Sequence, residues 1–151
     1  MERLFMYWNK PTNNFLGADG SSVCIEIMAN GDIVEKRYSF RSKKPISKDI
    51  IAHSEKLASE ARRIIEHYWD QIQLLPDFVD NDTLDGSWQT FVFFEKKVTV
   101  DNLCDPEIER IKKESPEIYQ HYHLVLSQTE LLYSIYKEMK QLLETAGVSL
   151  N

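Results

Sequence analysis

Cysteine is scarce. Cys24 and Cys104 are the only two, and their separation fits no metal-ligand spacing. Two thiols in a chain able to build a real core read as reduced, buried hydrophobes, not as a disulfide framework. Long apolar runs are also lacking. The five apolar residues from Leu4 to Trp8 are too few for a signal-peptide core. Nothing approaches the roughly 18 residues of a membrane span. A soluble, cytoplasmic protein without membrane contact is expected. Catalytic signatures are missing as well: there is no Gly-x-Ser-x-Gly and no His-Glu-x-x-His, and the glycine-rich stretch from Gly17 to Ser22 has no phosphate-loop lysine. A Cys–His dyad would have to use Cys24 or Cys104, which lie in or beside expected strands, where a thiol is usually buried. Neither enzymatic activity nor a cofactor is expected. Basic stretches such as Lys36-Arg37, Lys43-Lys44 and Arg62-Arg63 are short and interleaved with acids. With a pI near 5.2, nucleic-acid binding is not expected.

What the chain does have is segregated negative charge. Residues 77 to 107 hold eight acids (Asp77, Asp80, Asp82, Asp85, Glu95, Asp101, Asp105 and Glu107) against Lys96 and Lys97, which accounts for the whole net charge of −6. Such a lobe attracts cationic partners and repels nucleic acid. The stretch from Asp80 to Gly86 invites comparison with a calcium loop. Its third acid and its glycine each come one place late, however, and the twelfth position is Phe91, so no metal site is expected. His121 and His123 are two apart, which on a helix turns them roughly 200° from each other and prevents a shared metal.

Hydrophobic patterning points to an α+β domain spanning the chain, with an antiparallel sheet of about five strands in the order β-ββ-α-ββ-α. Leu4 to Trp8 reads as the first strand and Asn9 to Ser21 as a loop. Val23 to Phe40 reads as a hairpin around Asn30-Gly31, a pair suited to a two-residue type I′ turn. That register places Val23, Ile25, Ile27, Val34, Tyr38 and Phe40 on the core face, with Ile33 outward and Glu26 opposite Glu35. A helix capped by Ser47, with Ile46 stapled on Ile51, is expected to run to about Gln73. After the acidic loop from Pro76 to Ser87, a second hairpin turns at Glu95-Lys96 and is apolar on both faces, which implies cover on both sides. Asp105-Pro106-Glu107 and Ser115-Pro116-Glu117 each read as the start of a helix. The second helix runs to about Thr145 and is closed by Gly147. Its tyrosines and heptad-like stripe leave room for a homodimer through the C-terminal helix.

Asn30-Gly31-Asp32, the helix entering Leu74-Leu75-Pro76, the stretch Leu84-Asp85-Gly86-Ser87-Trp88 and the helical end carry a resemblance in architecture. The chain resembles small bacterial immunity proteins of polymorphic or contact-dependent toxin systems. The resemblance implies binding to a cognate toxin domain, often a basic nuclease, and blocking it. On that reading Asp77, Asp80, Asp82 and Asp85 meet lysines and arginines of the toxin or another basic protein, with Trp88 as an aromatic anchor. The alternative is a phage or host regulator that sequesters its target as a homo-oligomer.

Overall fold

β1 (Arg3–Pro11) is the middle strand of a seven-stranded sheet in the computed structural model, which describes residues 2–11, 21–39, 43–82 and 87–150. The other strands are β2 (Ser22–Met28), β3 (Asp32–Tyr38), β4 (Ser47–His53), β5 (Phe78–Val79), β6 (Ser87–Phe93) and β7 (Lys96–Asp101). They lie in the order β4-β3-β2-β1-β6-β7-β5, antiparallel except where β5 joins β7. The helices are α1 (Glu55–Gln73), α2 (Ile108–Glu114) and α3 (Pro116–Glu144). The fold is α+β, with two more strands than the hydrophobic pattern implies.

Both long helices cover one face of the sheet. Phe5, Ile27, Ile33, Phe91 and Phe93 are fully buried there beneath Ala61, Ile65 and Ile72 of α1 and Leu132, Ile135 and Met139 of α3. Each of these side chains other than Ala61 contributes about 1.5–3 kcal/mol by leaving water. A bulge in β1 lets Leu4 and Phe5 both reach the core. Among the described residues no helix lies on the opposite face. Its centre is a small cluster of Met6, Cys24 and Val92, flanked by Trp8 and Tyr38. Among the described residues, the cover expected on both sides of β6 is supplied on this side by neighbouring side chains.

The first hairpin differs from expectation by one residue. Its loop has three residues, Ala29 to Gly31: the Gly31 N–H donates to the Met28 carbonyl (3.0 Å), and Gly31 takes φ +101°. Ile27 thus faces Ile33, and Glu26 faces Val34. A one-residue shift moves every side chain of β3 to the other face. Ile33 is buried in the core, while Val34 and Tyr38 join Cys24 on the uncovered side. Phe40 lies outside the described residues. Gly31 cannot be replaced cheaply, because a Cβ there would sit 2.9 Å from the backbone of Ser54.

The segment from Ser47 is a strand, not a helix. Its β-branched Ile50 pairs with Val34 of β3, and Ile51 is the extra residue of a bulge. The helix begins one element later. Ser54 is its N-cap, and its Oγ accepts from the Leu57 N–H (3.0 Å). α2 also begins late. Its N-cap is Glu107 at φ 49°, and Asp105 instead accepts the Glu107 N–H (2.9 Å). α3 begins at Pro116 and is followed by Gly147 at φ +75°. At 29 residues it is roughly 43 Å long. Residues 116–128 are exposed or half-buried throughout, and burial begins at Thr129.

Candidate functional site

Five sequence candidates cluster in the chain around β5 and the start of β6. Asp77 follows Pro76 and enters β5, where its carbonyl accepts the Thr99 N–H (2.9 Å). In this two-residue strand Val79 is buried, while Phe78 remains 38% exposed on the uncovered face. Asp80 and Asp82 follow, both exposed, in a tight turn in which Asp80 accepts the Asp82 N–H (2.9 Å) and Asp82 takes φ 56°. Between them Asn81 fixes the turn to the body of the protein. Its N–H donates to Asp101 Oδ1 (2.5 Å). Its side-chain amide donates to the Asp101 carbonyl (3.0 Å) and to Thr129 Oγ1 on α3 (3.1 Å). Asp85 lies outside the described residues.

The acidic lobe is less uniform than its sequence. Asp101 is buried and serves the Asn81 bridge. Glu107 pairs with Arg110 at 2.7 Å. Glu95 occupies the β6–β7 turn, at the opposite end of those strands from Asp101. Asp80 and Asp82 stay with the end of the sheet where β7 finishes, and Asp77 lies along its edge.

Trp88 opens onto the uncovered face. It sits between Lys10 of β1 and Asp101 of β7 and is 47% exposed. Its ring meets Phe78 edge-on, with centroids 5.4 Å apart. Together with Trp8, Lys10, Thr90 and Lys97 these rings line a shallow trough of about 580 Å³, bordered by Asp77. The hydroxyls of Thr90 and Thr99 bond each other in this stretch (3.0 Å). Trp8 is held on the far side by a bond from Nε1 to Ser22 Oγ (2.9 Å) and by stacking on Tyr38 (4.5 Å). The structure thus brings Asp77 and Trp88 to one trough, with Asp80 and Asp82 following Asp77 along the same edge. Sequence reasoning missed Phe78, Trp8, Lys10 and Lys97, because their adjacency arises from pairing between distant strands.

Other chemistry is limited. Burial pushes the Cys24 thiol up to about 12; Cys104, expected to be buried as well, is exposed, and partial desolvation with Asp105 and Glu107 nearby raises its thiol. Neither is a ready nucleophile at neutral pH. His53 Nδ1 lies 2.7 Å from Asp32 Oδ1, a contact that, with Asn30, holds the Asp32 carboxyl below its usual range. Among the described residues no group of three or more His, Cys, Asp or Glu is placed to hold a metal ion. None of the described helices is long and apolar enough to cross a membrane.

The trough combines exposed aromatic rings with a charged rim and little depth. Such surfaces suit contact with another macromolecule, in which a desolvated aromatic provides most of the affinity and surrounding charges govern encounter. Compared with models of protein families and with curated proteins, the chain finds no match.

Proposed function

We propose that this protein is a protein-binding inhibitor that acts in the cytosol on a basic partner, in the manner of a toxin-neutralising immunity protein. The observation that carries the reading is the exposed Phe78–Trp88 pair, with Asp77 bordering its trough and Asp80 and Asp82 following on the same edge. Occlusion is the mechanism. Trp88 anchors against the partner, and the carboxylates meet cationic groups that the partner uses for its own substrate.

The direct test first asks whether the neighbouring reading frame encodes a toxin-type domain that binds this protein, and then measures association and dissociation rates against salt. Reversing Asp80 and Asp82 to lysine slows association about tenfold and flattens its salt dependence. Trp88→Ala instead accelerates dissociation, at a cost of about 2 kcal/mol. Rates untouched by both changes refute this placement of the interface. The second reading, a sequestering homo-oligomer built through α3, draws on the exposure of Ile118, Tyr122 and Leu124. Sedimentation of the isolated protein decides it: a stable oligomer favours this alternative.

A further inference from the structure

We propose that a cleft on the helix-covered face of the sheet binds a small uncharged organic molecule with an apolar body and a carbonyl oxygen at one end. The cleft lies across the sheet from the trough and does not depend on the protein-binding reading. Strand register builds it. Tyr7, Ile25 and Glu35 stand in one row across β1, β2 and β3, and Asn9, Val23 and Arg37 stand in the next. The chain that follows α3 adds a wall through Val148 and Leu150, and the space left is about 510 Å³. That volume is of the size that small-molecule sites use.

Tyr7 points to a ligand. It is 4% exposed, and its ring packs against Phe91 and Tyr136, each with centroids 5.1 Å away. The neighbouring Tyr136 donates its hydroxyl to the Leu150 carbonyl (3.1 Å). The Tyr7 hydroxyl bonds none of the described residues. Among those residues the Arg3 Nε is the only fully sealed side-chain nitrogen or oxygen without a bond. The unbonded Tyr7 hydroxyl therefore keeps an opening, and the cleft is what Tyr7 lines. A hydroxyl buried without a partner weakens a fold, and phenylalanine would fill the same space without that cost.

Hydrogen-bond polarity, not charge, selects the ligand. Arg37 and Glu35 are the two charged residues that line the cleft, and they pair with each other (3.2 Å). An ion entering would lose its water and meet no free counter-charge. The β1 end offers donors. Burial, with Tyr136 nearby, holds the Tyr7 phenol protonated above its usual range. Asn9 Oδ1 accepts from Gln89 Nε2 (3.0 Å), which leaves the Asn9 amide hydrogens to donate elsewhere. Tyr7 and Asn9, two apart on one face of β1, thus suit a carbonyl oxygen. Ile25 and Val23 supply the apolar floor between them and the ion pair. The distance from β1 to β3, roughly 10 Å, suits a single-ring molecule.

Acetophenone is the probe. Ethylbenzene, which lacks the oxygen, and benzoate, which carries a charge, are its counterparts, and amide chemical shifts of isotope-labelled protein follow binding. Acetophenone moves the amides of residues 7–9, 23–25 and 148–150, with a dissociation constant of about a millimolar, as so small a ligand allows. Ethylbenzene and benzoate bind at least about fivefold more weakly. Tyr7→Phe weakens acetophenone about fivefold, yet leaves the thermal midpoint unchanged or higher, because the free protein makes no use of the hydroxyl. Asn9→Asp keeps an acceptor for Gln89 but replaces the donor, and it abolishes acetophenone binding while the rest of the amide spectrum is retained. Absence of acetophenone binding overturns the proposal, as do shifts confined to another part of the molecule. Counterparts that bind equally well also overturn it. A midpoint lowered by Tyr7→Phe with binding unchanged does the same, because the hydroxyl is then structural.

Discussion

Glu26 is a carboxylate held at 4% exposure on the side of the sheet that none of the described helices covers. Burial raises its proton affinity, but bonds from Lys36 (2.6 Å) and Arg3 (2.8 Å) more than reverse this, and its carboxyl titrates below the usual range. A depressed folded value means stabilisation that is present above the unfolded value of 4.5 and lost as pH falls through the folded one. Glu26→Gln is therefore expected to lower stability by about 2 kcal/mol at neutral pH, between the figures for exposed and buried pairs. In urea titrations the gap between variant and parent should close as acid protonates the parent. A gap that persists unchanged to about pH 2 would contradict the ion-pair account.

Among the elements, β4 is the exposed edge. It pairs with β3 alone and presents Ile50 at 65% and Ile51 at 41% exposure. Lys48, Asp49 and the bulge at Ile51 are what guard it, since charges and bulges discourage strand addition. Lys48→Val with Asp49→Val should promote self-association, visible as concentration-dependent light scattering; a strictly monomeric double variant would show that the edge is guarded elsewhere. The same strand shows where sequence was misleading. Ile46, Ser47 and Ile51 match a capped, stapled helix start, yet pairing with β3 overrides that local pattern. In the first hairpin, Asn30-Gly31 correctly marks the turn but does not fix its length, and a three-residue loop reverses the faces of β3. The two-residue β5 has no periodicity to read. The beginning and end of α3 were legible, because Pro116 and Gly147 act locally.

At the scale of the molecule, charge counted along the chain predicts a lobe, whereas the fold divides it: Asp101 is used internally, Glu107 is paired and Glu95 is sent to the far end. Asp77 and Trp88 could be picked from composition. Lys10 could not, because it reaches Trp88 only through pairing of strands 78 residues apart. Cys104 follows Leu103, whose N–H donates to Gln89 Oε1 (2.7 Å) beside the start of β6. It is exposed, whereas Cys24 is sealed beneath the sheet's uncovered side chains. The native protein should therefore take up a single maleimide, at Cys104, at about pH 8, and a second only in denaturant; mass spectrometry showing two adducts on folded protein would contradict this. A dye attached there would stand near the start of β6, giving the unmodified sequence an address from which docking can be watched optically.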